Sequence, residues 1–141
     1  MNDQKVSYKT AKLAKDKGFK MKNHFGFVTK LYRKTTKTLI SYWKTGRSKL
    51  SDLVYAPTQT ELRKWLREVH FLEVEPQLND SLYRKLHERG RNKKCLNYHW
   101  TIITNINDKE FVFNKFYSED TYKTFEEALE AGMYKALQTI I

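Results

Sequence analysis

Apolar residues recur at helical spacing in one stretch of the chain that also carries its own start signal. Leu62, Trp65, Leu66 and Val69 fall at i, i+3, i+4 and i+7, a stripe that faces a core. Arg63, Lys64, Arg67 and Glu68 lie largely off that stripe. Pro57 and Thr58 stand ahead of it, and Glu61 completes a capping box with Thr58, each side chain satisfying a backbone N–H of the first turn. The pattern predicts a helix over 58–70. The chain closes on the same design. Thr124 and Glu127 form a second capping box, and Phe125, Ala128, Leu129, Met133, Ala136, Leu137 and Ile140 line one face of a helix behind it. Gly132 within that helix costs about 1 kcal/mol relative to alanine, a cost that a close approach to a sheet would explain.

Shorter patterns fill the rest. Ser7 to Lys17 reads as a helix capped by Ser7, with Tyr8, Ala11, Ala14 and Leu13 on a narrow apolar face and Lys9, Lys12 and Lys15 toward water. Gly18 sits where a left-handed cap is wanted, and Phe19 follows to fold back on the last turn. Phe25 to Trp43 alternates as a β-hairpin around Lys34-Thr35-Thr36-Lys37, a turn without the Asn-Gly or Asp-Gly that would fix its type. Residues 46–55 read as a loop. Phe71 to Glu75 reads as a short strand stopped by Pro76, and Ser81 to Arg89 as a two-turn helix closed by Gly90. Tyr98 to Ile106 alternates most cleanly, with Phe111 to Tyr117 pairing back onto it.

This order of elements predicts an α+β domain with a mainly antiparallel sheet, built from two hairpins and covered by helices on one face. At 141 residues the chain fits a single domain, 1–141. Its parts are a first half over 1–56, the helix over 58–70, an insertion over 81–97 and the closing hairpin and helix over 98–141.

Charge changes the picture. The net charge of +11 is not spread evenly: residues 1–56 hold 14 basic groups against 3 acidic ones, and 81–97 hold 6 against 1. The remaining two segments are net acidic. Such asymmetry is the footprint of a polyanionic partner, nucleic acid first. An AT-rich coding bias would also enrich lysine, but it would raise the acids and asparagine as well, and the first segment holds few acids. The first hairpin interleaves Tyr32, Tyr42 and Trp43 with Lys30, Arg33, Lys34, Lys37, Lys44 and Arg47. Cations neutralise phosphates while exposed rings stack on bases, an arrangement suited to single strands or to a ribbon in a groove. Arg91, Lys93 and Lys94 form a supporting patch, if the fold brings it near. The opposing reading is that the tyrosines and tryptophan pack in a core.

Other chemistries find little support. One cysteine, Cys95, rules out an intramolecular disulfide and fits a reducing compartment. His24, His70, His87 and His99 are scattered, and only Cys95 and His99 stand at ligand-like spacing, so no metal site is expected. The five glycines never cluster into a phosphate-cradling loop. Glu73 and Glu75 share a strand face but read as its solvent edge. No cofactor is expected, and the chain reads as non-enzymatic. No apolar run approaches the ~18 residues of a membrane span, and residues 1–6 carry no apolar leader. A cytoplasmic protein is the expectation.

Three stretches carry a resemblance: Ser7 to Phe19 (SYKTAKLAKDKGF), Ala56 to His70 (APTQTELRKWLREVH) and Thr124 to Gly132 (TFEEALEAG). In order and spacing they resemble small uncharacterised proteins of phages and prophages of Bacteroides-type bacteria. The heavily basic first hairpin and the 81–97 insertion depart from that pattern. The resemblance implies a phage or prophage accessory protein and brings no activity or site. The expected function is electrostatic binding of DNA or RNA through the basic first half. The alternative is a protein-interaction module that docks on a host defence complex or a virion component, its opposed charge patches steering the encounter. Pairing through a hairpin edge would give a homo-oligomer, although Lys30 and Lys37 guard that edge.

Overall fold

Ser7, Thr58 and Thr124 each hold the backbone extended and start a helix with a side-chain oxygen. In the computed structural model, which describes residues 3–20, 29–42, 53–78, 97–104, 114–118 and 120–141, those helices are α1 (Tyr8–Asp16), α2 (Gln59–His70) and α3 (Phe125–Thr139). At α2 both halves of the capping box form: the Glu61 N–H donates to Thr58 Oγ1 at 3.1 Å, and the Thr58 N–H to Glu61 Oε2 at 2.8 Å. At α3 the Glu127 N–H donates to Thr124 Oγ1 at 3.1 Å. α1 ends as its sequence predicts, with Gly18 at φ +97° and the Phe19 N–H on the Ala14 carbonyl at 2.9 Å. Phe19 then stacks on Tyr55 and meets Trp65 edge-on.

Among the described residues six strands complete the α+β fold: β1 (Thr29–Arg33), β2 (Leu39–Tyr42), β3 (Leu53–Tyr55), β4 (Leu72–Leu78), β5 (Tyr98–Thr104) and β6 (Asn114–Tyr117). All pairings are antiparallel, and the strands divide into two sheets, ordered β2-β1-β3 and β4-β5-β6. Each predicted hairpin thus lies in a sheet of its own. The β1–β2 turn closes with the Arg33 N–H on the Thr38 carbonyl (3.0 Å) and the Lys37 N–H on the Arg33 carbonyl (2.8 Å). Lys37 takes the left-handed conformation, φ 55°. This is a four-residue loop whose last position needs positive φ, which explains the lack of a two-residue turn signal.

Helix α3 lies across β4 and β5, against the face that carries Val74, Trp100 and Ile102. Gly132 makes the approach close, because a Cβ there would stand 2.6 Å from Val74 Cγ1 and 2.9 Å from Trp100 Cβ. Leu62 and Leu66 of α2, Ala11 and Ala14 of α1, Val54 of β3 and Met133 and Leu137 of α3 join the same buried cluster. Gln59, itself buried, ties α2 to α3 by donating to the Glu126 carbonyl at 3.0 Å.

Several expectations give way to packing. Residues 53–55, read as loop, form β3, because three residues beside β1 gain a ladder that their own pattern is too short to announce. The strand expected to stop at Pro76 runs on to Leu78; β4 is an edge strand, where a missing N–H costs no ladder bond if it faces outward. Glu73 is not at a solvent edge but 8% exposed, its carboxylate gripped by Arg63 (Nη2–Oε1 2.8 Å, Nε–Oε1 2.9 Å) and Arg67 (Nη1–Oε2 3.6 Å). Val69, on the centre of the apolar stripe, is 53% exposed, while Leu62 and Leu66 are fully buried. The last turn of α2 runs past its cover, and the chain then swings into β4 through Phe71, at φ 55°. Phe125, placed on the core face of α3, is also largely exposed and touches Tyr98 edge-on. Residues 25–28 and 43 of the first hairpin, the short helix over 81–89 and residues 105–113 lie outside the described residues.

The N-terminal residues, featureless in sequence, are built in. Val6 is fully buried, its N–H donates to the Pro57 carbonyl at 3.0 Å, and the Gln59 N–H donates to the Gln4 carbonyl at 2.8 Å. Beside this junction the Tyr55 hydroxyl donates to the Glu61 carboxylate at 3.1 Å. Burial first, then the Glu61 charge and hydrogen bond, push the Tyr55 pKa from 10.0 up to about 12. A folded pKa above the unfolded one adds stability that is complete below pH 10 and lost as the pH rises through about 12. The melting temperature of the wild type should therefore fall between these values, and that of Tyr55→Phe should fall less over the same window.

Candidate nucleic-acid interface

The apolar face of α1 sets where its lysines go. Thr10, Ala11 and Ala14 turn inward, so Lys9, Lys12 and Asp16 form an exposed stripe on the opposite side, with the half-buried Tyr8 between it and the core. α1 packs on α3 with Ala11 and Ala14 in the shared core, Lys17 Nζ donates to the Ile140 carbonyl, and one carboxylate gathers the helix start. Glu130 Oε1 accepts from the Ser7 N–H (3.0 Å), Ser7 Oγ (2.8 Å) and Thr10 Oγ1 (2.5 Å) at the helix N-terminus, where negative charge is favoured. That contact brings Tyr134, one turn further along α3, beside Lys9. The Lys9 Nζ lies 4.2 Å from the centre of the Tyr134 ring.

The β1–β2 turn closes the third side. Its left-handed residue, Lys37, reaches over the Tyr8 ring with Nζ 5.9 Å from the centroid. Together Tyr8, Lys9, Lys12, Lys37, Asp16 and Tyr134 line an open groove of about 590 Å³. Three ammonium groups and two phenol rings thus face one concavity that holds one carboxylate. Chemically it can neutralise backbone phosphates and offer ring faces to flat ligands.

Of the cations picked out in the sequence, Lys37 lines this groove. Arg33 and Lys34 are exposed in and beside the same turn, at the end of β1. Lys30 is exposed too, but strand alternation puts it on the opposite face of β1 from Arg33. These four therefore do not form one patch. Lys44, Arg47, Arg91, Lys93 and Lys94 lie outside the described residues, as do Trp43 and Cys95. Tyr32 is not an open stacking ring: its hydroxyl donates to the Val6 carbonyl at 2.6 Å and its ring packs edge-on against Tyr8. Burial, and then the nearby Glu130 charge, push its pKa up.

Nothing in the sequence marks Lys9, Lys12 and Tyr134 as neighbours. The two lysines face water, as their spacing predicts, but their convergence with Lys37 depends on how α1 docks. Tyr134 did leave a signal. It is an aromatic residue off the apolar face of a strongly patterned helix, which predicts an exposed ring.

Elsewhere the cationic side chains of α2 are occupied. Arg63 and Arg67 hold Glu73, and Lys64 pairs with Glu68 at 3.8 Å. His70 packs edge-on against Trp65 with Nε2 buried and unpartnered among the described residues, and burial lowers its pKa. Among the described residues no three His, Cys, Asp or Glu side chains gather as a metal site would require, and no helix is long and apolar enough to cross a membrane. Compared with protein-family models, curated proteins and solved structures, the chain matches none of them.

Proposed function

We propose that this protein binds nucleic acid electrostatically through the groove between α1, the β1–β2 turn and α3, without catalysing a reaction. The observation that supports this reading is the convergence of Lys9, Lys12 and Lys37 on a concave surface that also carries Tyr8 and Tyr134. Arg33 and Lys34 add exposed positive charge in and beside the turn, and the charge of the first 56 residues, with 14 basic and 3 acidic groups, sets a field of the same sign around it. The resemblance in the three sequence stretches supports, as the context of this proposal, an accessory protein of a phage or prophage acting in the host cytoplasm.

The test is equilibrium binding of single- and double-stranded DNA and RNA across a salt series. Affinity should fall steeply, by about 0.9 log units per log unit of salt for each duplex phosphate neutralised and about 0.7 for each single-strand phosphate. Absence of binding even at low salt would overturn the proposal and make the basic half a surface for a protein partner.

A further inference from the structure

Resting on that reading, we infer that the groove takes single-stranded nucleic acid, with one base stacked on Tyr134. Lys9 Nζ sits over the ring centre, at 4.2 Å, rather than at its edge. That face of the ring is therefore turned into the groove, where the Lys9 ammonium covers it and a flat group can take its place. The helix around Tyr134 is anchored by the burial of Met133, Ala136 and Leu137, so the ring stands on a rigid base. A duplex presents phosphates and base edges but keeps its base faces stacked inside. Only an unpaired strand can offer a face to Tyr134 and its phosphates to Lys9, Lys12 and Lys37.

The rest of the lining fits this division. Lys9 moves from the ring to a phosphate when a base takes its place, so the cation that now occupies the face becomes the first backbone contact. Asp16 stands two turns along the α1 stripe from Lys9, and it repels backbone at that end. The Ser7 hydroxyl is spent on Glu130. Among the described residues that line the groove there is no arginine, asparagine or glutamine, and the lysines are committed to phosphates, so recognition should depend only weakly on sequence.

The experiment compares the full-length wild type, Tyr134→Phe and Tyr134→Leu. Each is titrated with fluorescent oligothymidylate, oligouridylate and a DNA duplex of equal length at one salt concentration, with circular dichroism to show that all three are folded. Tyr134→Leu should weaken single-strand binding by roughly five- to a hundredfold, the range that one stacked base contributes. Tyr134→Phe keeps the ring face and should bind as the wild type does. Duplex binding should be weaker than single-strand binding and the same in all three proteins. The DNA and RNA strands separate a preference for either sugar. Equal single-strand affinity in Tyr134→Leu, or tighter binding of the duplex by the wild type, would overturn the inference while leaving electrostatic binding intact. No binding of any strand by the wild type would overturn both.

Discussion

Gly132→Ala should destabilise the protein by about 2 kcal/mol, although alanine is the better helix former. Propensity alone would favour the substitution by about 1 kcal/mol. Packing opposes it more strongly. The new methyl would meet Val74 Cγ1 at 2.6 Å, Trp100 Cβ at 2.9 Å and Trp100 Cγ at 3.0 Å. Trp100 Cβ is one bond from the backbone of β5 and cannot yield without moving the sheet. Overpacking of this kind costs about 1–3 kcal/mol, and contact on two strands at once puts it at the top of that range. Urea denaturation of both proteins measures the difference. Val74→Ala removes one of the clashing atoms, so the double variant should lose less than the sum of the singles. A neutral Gly132→Ala would mean that α3 can back away from β4 and β5 at no cost.

Neutralising the groove should have the largest effect on binding. In a triple variant, Lys9→Gln and Lys12→Gln keep good helix formers in α1, while Lys37→Asn suits the left-handed turn position. A unit charge pair in contact is worth about 1 kcal/mol in water, so three lost together predict about a hundredfold weaker binding. The salt slope should fall by about two units on a single strand. Folding should be preserved, because all three side chains are exposed. Neutralising Arg33 and Lys34 instead tests the turn by itself. A larger loss from that pair than from the triple variant would move the interface out of the groove and onto the β1–β2 turn.

Local signals were legible wherever a side chain acts within four residues of itself. The capping hydroxyls at Ser7, Thr58 and Thr124, the left-handed Gly18 with its Phe19 contact and the core stripe of α3 from Ala128 to Leu137 all follow from such short-range rules. So does the α+β class, since alternation and helical periodicity are read from neighbours. Gly132 was legible as an oddity, and its reason waited for the two strands above it.

What the chain alone did not disclose were the properties that depend on which surfaces meet. Val69 has the spacing of a core residue, yet it is more than half exposed at the end of α2. Glu73 looks like a surface acid and is buried, because two arginines from the preceding helix reach across to it. Residues 53–55 are too few to show a pattern and become a strand only beside β1. The groove is the clearest case. Lys9 and Lys37 are 28 positions apart and Tyr134 lies nearly a hundred further on. No periodicity links positions so distant. Their meeting depends on the docking of α1 against α3, and on the backward fold of a four-residue turn. Sequence set the charge and the elements that carry it; only tertiary packing decided which of those charges share a surface, because screened side chains on separate elements have no preferred arrangement until the core holds them in place.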